Sequence, residues 1–145
     1  MSTSCSITIK CQDKKIRTIY CHYDGYLSAA GQTLLNHFQS QKKIEQLVRL
    51  GDISSLEYSI DCPPGHTFEN PTNGHTISYI RDRKQTGSSF EAYVGETLRE
   101  CMRENCQAFN YFWDGQEWMT VNHYHDTKKW EWVTECKILE KIVET

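Results

Sequence analysis

Residues 109–120 read FNYFWDGQEWMT, and this stretch carries the clearest fold signal in the chain. Phe109, Tyr111 and Trp113 alternate with their neighbours up to Asp114-Gly115, and Trp118 continues the pattern beyond that pair. A period of two is typical of a β-strand, and an Asp-Gly pair suits the positive φ angles of a type I′ turn. The stretch therefore predicts an antiparallel β-hairpin that turns at Asp114-Gly115.

The amino-terminal third predicts a second hairpin followed by two short helices. Alternation on both sides of a polar turn at residues 12–15 indicates two antiparallel strands. Helical spacing of apolar residues then begins near a cap at Ser28 and again near a cap at Ser40. Gly51 stands where the second helix should end in a left-handed conformation.

The rest of the chain is expected to add strands and two further helices. The expected elements are a strand over residues 75–81, a third helix from Phe90 to Asn105, a strand at Trp130 and Trp132, and a last helix from Thr134 to Val143. Strands and helices without regular β-α-β alternation predict an α+β fold. We expect a single domain over residues 1–145, with a mainly antiparallel sheet and about four short helices.

Charge and composition argue against two classes of partner. The formal net charge is −3, and residues 61–145 hold fourteen acidic and nine basic side chains. This balance disfavours general nucleic-acid binding, because affinity for phosphate backbones depends on clustered Lys and Arg. Apolar runs are far shorter than the roughly 20 residues that cross a bilayer, and the start does not resemble a signal peptide. We therefore expect a cytoplasmic protein with no membrane partner.

A candidate site for an anionic small molecule is the segment Arg81-Asp82-Arg83. Between a strand and the Ser- and Gly-rich loop of residues 84–89, two guanidinium groups could hold a phosphate in bidentate fashion. Tyr23, Asp24 and Tyr26 are the second part of this candidate site, because a tyrosine ring can stack on a base. The residues predict a nucleotide-like ligand, and the alternative is a surface network of Arg and Asp.

A metal site is a further possibility, at His123-Tyr124-His125-Asp126. A strand would place both imidazoles on one face, and zinc takes such ligands. A catalytic zinc site usually has a third protein ligand, and nothing in the sequence pairs another histidine with these two. Motifs of serine hydrolases and zinc proteases are missing from the sequence. We therefore favour a protein without catalytic residues, metal or cofactor, and keep a metal-dependent hydrolase as an alternative.

Aromatic residues predict a surface for a protein partner. The chain has four Trp, eight Tyr and five Phe, and the aromatic stripe of the strands is most simply a sheet core. We nevertheless expect either Trp130 or Trp132 to face away from the buried side and to leave aromatic surface for a partner. Trp130 and Trp132 are therefore the candidate partner-binding residues, because binding energy concentrates in Trp, Tyr and Arg.

Three motifs, HYDGY at residues 22–26, LGDISSL at residues 50–56 and Arg81-Asp82-Arg83, form a recognisable combination. With the hairpin near residue 115, the combination resembles a family of small uncharacterised bacteriophage and prophage proteins over roughly residues 16–120. The chain departs from that pattern at Leu27, where Pro is expected, and at Lys84-Gln85, where Gly-Glu is expected.

The resemblance implies a phage setting inside a bacterial host cell, and it transfers no catalytic residues. Small accessory phage proteins of this kind commonly bind a host factor and disable it, antiviral defence proteins among them. We therefore expect stoichiometric inhibition of a host protein or nucleoprotein complex. The first alternative is a module that sequesters a nucleotide-like signalling molecule, and the second is the hydrolase. A homo-oligomer is compatible with each of them.

Overall fold

One mixed sheet organises the chain, and the computed structural model describes residues 2–85 and 88–141 of it. The strands are β1 (Cys5–Lys10), β2 (Ile16–Cys21), β3 (Ile53–Ser55), β4 (Ile77–Ser78), β5 (Tyr93–Gly95), β6 (Phe109–Trp113), β7 (Trp118–Asp126) and β8 (Glu131–Ile138). The α-helices of the described residues are α1 (Gln32–His37), α2 (Gln41–Arg49), α3 (Tyr79–Arg83) and α4 (Leu98–Glu104). A π-helical turn (Leu27–Gly31) leads directly into α1, and a 3₁₀ turn covers Ser88–Phe90.

The sheet runs in the order β4-β3-β2-β1-β6-β7-β8, and β5 pairs with β2 off this path. Most neighbours are antiparallel, while β1–β6 and β2–β3 are parallel. The predicted α+β fold with a mainly antiparallel sheet and four short helices is confirmed. No helix within the described residues has the length and apolar character needed to span a bilayer.

Each face of the sheet carries its own hydrophobic core. On one face, α1 and α2 bury Leu34, Phe38 and Ile44 against β1, β2 and β6, and Trp118 closes this core. On the other face, α4 contributes Met102 to a smaller core with residues from β2, β6 and β7. The cores extend along β7 only from Trp118 to Val121, which leaves the far half of that strand uncovered.

The hairpin at Asp114-Gly115 is confirmed, but its turn type is not the predicted one. Trp113 pairs with Trp118, so four residues connect the strands, and Gly115 has a φ of 103° while Asp114 stays outside the positive-φ region. The Asp114 carboxylate accepts hydrogen bonds from the amides of Gln116 and Glu117, both at 2.8 Å. This side-chain capping of the loop replaces the two-residue type I′ turn.

The strand expected over residues 75–81 is wrong for most of its length. Only Ile77–Ser78 form a strand, and α3 follows at once. The Ser78 hydroxyl caps α3 by accepting a hydrogen bond from the Arg81 amide at 3.2 Å. A serine in this position favours a helix start, so Arg81, Asp82 and Arg83 lie in a short helix and not in a loop after a strand.

The single helix expected from Phe90 to Asn105 is divided into three elements. A 3₁₀ turn, β5 and α4 replace it, and Thr97 caps α4 by accepting a hydrogen bond from the Glu100 amide at 3.1 Å. Residues 93–95 instead add a strand beside β2, because backbone pairing outweighs a weak helical spacing.

The last expected helix is replaced by β8. Residues from Thr134 to Ile138 pair with β7 in an uninterrupted antiparallel register, and Trp132 belongs to the same strand as predicted. Trp130 precedes the strand in a left-handed conformation with a φ of 55°. The predicted helix residues Ile142 and Val143 lie outside the described residues.

Candidate functional site

The outer parts of β7 and β8 form an arm, residues 122–137, that extends beyond both cores. None of its side chains is buried. Trp130 at the end of the arm is 81% exposed, the largest value among the exposed large hydrophobic residues described. An exposed apolar surface of this kind is typical of an interaction site, because monomeric proteins rarely leave large apolar patches in contact with water.

The conformation at the arm's end is fixed by the chain itself. The Asp126 carboxylate accepts hydrogen bonds from the amides of Lys128 and Lys129 at 2.9 and 3.1 Å, which closes the turn. Trp130 then takes its positive φ, a conformation that costs a side chain about 1 kcal/mol. A large aromatic residue is thus held outward in a strained position, as is common at functional sites.

Three aromatic side chains cover one face of the arm. The rings of His123 and Trp132 are stacked, with centroids 4.7 Å apart and an interplanar angle of 11°, and His125 meets the Trp132 ring edge-on at 5.4 Å. We call these three residues the aromatic face. The His123 Nδ1 shares a hydrogen bond of 3.0 Å with the Thr134 hydroxyl. The His123 ring is therefore held both by this hydrogen bond and by its stacking on Trp132.

The electrostatics of the aromatic face favour the neutral form of His123. Burial, and after it the positive charges of Arg103 and Arg99 on α4, lowers the pKa of His123 below its ordinary value. Its Nε2 is buried and lacks a hydrogen-bond partner within the described part of the chain. Residues 2–85 and 88–141 contain no group of three or more His, Cys, Asp or Glu side chains placed to hold a metal ion. The aromatic face therefore offers ring surfaces for packing and no metal-binding geometry in this part of the chain.

Arg81 and Asp82 of the candidate anion site belong to a structural network. The Arg81 guanidinium donates to both oxygens of the Asp82 carboxylate and to the carbonyls of Ile60 and Thr76. The Ser78 amide also donates to Asp82, at 2.7 Å. These bonds fasten the loop of residues 56–78 to α3, so most of the Arg81 donors are already used within the chain.

His66 completes this network from the other side. Its Nδ1 accepts a hydrogen bond from the Thr72 amide at 2.9 Å, so the ring proton lies on Nε2 and is donated to Asp82 at 3.2 Å. Burial would raise the pKa of the Asp82 carboxyl, but the hydrogen bonds from Arg81, Ser78 and His66 hold it below its ordinary value. The carboxylate is thus ionised and enclosed, and it serves as an internal anchor.

Arg83 is the exposed member of the predicted trio. Its guanidinium carbon lies 4.8 Å from the ring centroid of Phe68 and 4.6 Å from that of Tyr79. Its guanidinium donors have no hydrogen bond to another described residue, so they remain available to an anion. Thr86 and Gly87 of the adjoining loop lie outside the described residues.

The HYDGY segment is shaped by packing of the chain. Gly25 crosses the amino-terminal strand so closely that a Cβ there would lie 2.7 Å from Cys5, and its carbonyl accepts the Tyr111 hydroxyl proton at 2.7 Å. Asp24 takes a left-handed φ of 55°, and Tyr23 and Tyr26 are both partly exposed. The motif therefore contributes a tight turn packed against β1 and β6, and two exposed rings.

The two halves of the predicted ligand site do not contact each other directly. No hydrogen bond, ion pair or ring contact between described residues connects Tyr23, Asp24 or Tyr26 with α3. Burial, and after it the charge of Asp24, raises the pKa of the Glu57 carboxyl, which places two acidic groups near the tyrosines. Neighbouring carboxylates disfavour a phosphate at this segment.

A cleft that the sequence does not predict lies between β2, β5 and α4. It has a volume of about 160 Å³ and is lined by Thr18, Tyr20, Asp52, Tyr93 and Glu104, among others. Burial raises the pKa of Asp52 to about 6, although the carboxylate accepts a hydrogen bond from the Tyr20 amide at 2.9 Å. Pockets for drug-sized ligands hold about 300 Å³ or more, so this cleft is too small for a nucleotide.

Comparisons of the chain with protein-family models, with curated proteins and with solved structures found no match.

Proposed function

We propose that this chain is a phage- or prophage-encoded binding protein that inhibits a host protein by stoichiometric association, with the arm as its docking surface. The observation that carries the proposal is the exposure of Trp130, 81% at the end of an arm without a buried side chain. Tryptophan is the residue in which interface binding energy most often concentrates. The host protein belongs, on this proposal, to an antiviral defence system in the bacterial cytoplasm.

The ordering of the aromatic face supports binding through the arm. Trp132 is held between His123 and His125, and the Thr134 hydroxyl fixes the His123 ring. A partner would therefore meet side chains that have already lost much of their rotamer freedom, which reduces the entropic cost of association.

Charges beside the aromatic face define the chemistry of the partner. Residues 91–104, which include α4, hold four glutamates and two arginines. The two arginines lie close enough to the arm to lower the pKa of His123. The arm itself is balanced, with three acidic and three basic side chains over residues 122–137. The glutamates point elsewhere, since Glu100 accepts the Tyr93 hydroxyl proton and Glu104 lines the cleft beside β2 and β5. The arginines are therefore the charges of this segment that act on the aromatic face, and an apolar patch beside them suits a protein that presents acidic side chains around an apolar pocket.

A second candidate function is capture of a nucleotide-like signalling molecule, and Arg83 favours it. Its guanidinium is exposed above Phe68 and Tyr79 with free donors, an arrangement that can hold a phosphate beside aromatic rings. The involvement of Arg81 in the internal network leaves this site one of its two guanidinium groups.

The two candidates are separated by capture from bacterial lysate with three variants. For the host-protein function, a protein that co-purifies in equal amount with the wild type should be lost from Trp130→Ala or Trp132→Ala and retained by Arg83→Ala. Tyr58→Ala, which removes an exposed aromatic ring outside the arm, is the matched control and should also retain it. Retention of the protein by both arm variants would contradict the proposal. Loss of a phosphate-bearing small molecule from Arg83→Ala alone would favour the second candidate.

A further inference from the structure

The outer edge of β8 is an unpaired strand edge. β8 is the last strand in the sheet order, and no described residue pairs with it on the side away from β7. The Leu139 amide donates to the Trp118 carbonyl at 3.0 Å, which fixes the direction in which each residue's amide and carbonyl point. The backbone amides and carbonyls of the odd-numbered residues of β8 therefore point toward β7. Those of the even-numbered residues point outward, and these residues are Trp132, Thr134, Cys136 and Ile138.

The sequence of this edge is complementary to itself. If β8 pairs with a second β8 about a two-fold axis at Thr134, Glu131 of each copy lies opposite Lys137 of the other. Within one chain, Glu131 instead lies opposite Asp126, and Lys137 lies opposite Thr120. Neither forms a salt bridge with another described residue, so pairing between copies would give both charges an opposite partner.

The same register also brings exposed residues of the two copies side by side. Trp130 precedes β8 in its left-handed conformation and takes no part in this register. Trp132 falls opposite Cys136, both exposed, and Thr134 lies opposite its own copy. The register therefore places a Trp–Cys pair on each side of a small polar pair at the centre.

The neighbouring registers are unfavourable. Moving the axis to Val133 would place Glu131 opposite Glu135 and Lys129 opposite Lys137 in both halves, while moving it to Glu135 would place that residue opposite itself. Directly opposed like charges destabilise an antiparallel pair. An axis at Cys136 would also oppose unlike charges, Glu135 and Lys137, but it pairs only residues 134–138 of the two strands, whereas the axis at Thr134 pairs residues 131–137. Charged residues on an edge strand often prevent pairing altogether, but here they oppose unlike charges in the register that pairs most of the strand.

We infer that β8 binds β8 of a second copy of this chain, antiparallel and centred on Thr134, so that two sheets join into one. This inference goes beyond the proposed host-protein binding and does not depend on it. Pairing along the edge leaves the aromatic face uncovered, because the side chains of that face project perpendicular to the sheet.

Charge exchange tests the inference by sedimentation velocity over a concentration series. The wild type should dimerise, and Lys137→Glu should weaken the dimer at least about tenfold, because two opposite-charge pairs become two like-charge pairs. The double variant Glu131→Lys with Lys137→Glu should restore it, since each pair is again of opposite sign. A wild type that stays monomeric throughout the series, or a double variant no tighter than Lys137→Glu, would overturn the inference.

Cross-linking tests the register separately. In a background with the exposed cysteines Cys62, Cys106 and Cys136 changed to serine, Thr134→Cys should form a covalent dimer under mild oxidation. Opposed residues of a hydrogen-bonded pair have Cα atoms about 5.5 Å apart, within the range that a disulfide spans. Gln116→Cys, at the exposed β6–β7 turn, is the control and should stay monomeric. Equal cross-linking at both positions would contradict the register.

Discussion

The base of β7 and the arm that continues from it differ sharply although they share one strand. Trp118 at the base is 1% exposed and donates its indole proton to the Phe38 carbonyl at 2.7 Å, whereas Trp130 at the end of the arm is 81% exposed. Burial stabilises the first tryptophan, and only local turn geometry holds the second. The comparison indicates that stability resides in the base and that the arm is available for binding.

Truncating the base should have the largest effect. Trp118→Ala removes a fully buried ring and leaves the Phe38 carbonyl without its donor, so we expect a loss of about 4 kcal/mol in the free energy of unfolding. Urea denaturation followed by circular dichroism measures this loss. A loss below about 1 kcal/mol would break the distinction between base and arm.

The buried network around Asp82 should come next. Asp82→Ala leaves the donors of Arg81, His66 and Ser78 unpaired, and we expect a loss of about 3 kcal/mol at neutral pH. The pKa of Asp82 is lowered in the folded chain, so its stabilisation is complete above the ordinary Asp pKa and disappears as the pH falls through the folded value. The difference between wild type and Asp82→Ala should therefore shrink in acid, and denaturation at several pH values measures it.

Asp52 should behave in the opposite way. Its pKa is raised to about 6 in the folded chain, so ionisation destabilises the fold as the pH rises from the ordinary Asp value through 6. Asp52→Asn keeps the acceptor for the Tyr20 amide and should stabilise the protein by about 1 kcal/mol above pH 6, after allowance for solvent screening. Near pH 4 the two proteins should be equally stable, and the exposed Asp61→Asn is the control. A constant difference at all pH values would contradict the desolvation of Asp52.

The arm should show the smallest effect. Trp130→Ala removes an exposed ring from a left-handed position, and we expect the free energy of unfolding to change by no more than about 0.5 kcal/mol. Thermal melting beside Trp118→Ala provides the direct contrast. A large loss would indicate that the arm is part of the folded core.

Local patterns predicted the elements that local forces determine. The hairpin at Asp114-Gly115 and the end of α2 at Gly51, whose φ is 76°, follow from residue types that favour one geometry. β8 was mistaken for a helix because the spacing from Thr134 suits either structure, and its pairing with β7 decides between them. Strand pairing between segments is not visible in the spacing of either one.

The candidate site was harder to predict for the same reason. Arg81 reads as an anion-binding residue in sequence, but its acceptors are carbonyls of Ile60 and Thr76, which only the folded loop brings together. The cleft at Asp52 likewise depends on α4, which lies some fifty residues further along the chain. One of Trp130 and Trp132 was expected to face away from the buried side, and the structure places both outside the cores.

Two readouts on one protein test most directly that the arm binds and the base stabilises. The double variant Trp130→Ala with Trp132→Ala should lose no more than about 2 kcal/mol of unfolding free energy, the contribution of the two ring contacts that Trp132 makes with His123 and His125. In parallel capture from bacterial lysate, it should lose the host protein that co-purifies in equal amount with the wild type. A double variant that keeps the host protein, or one that fails to fold, would contradict the account.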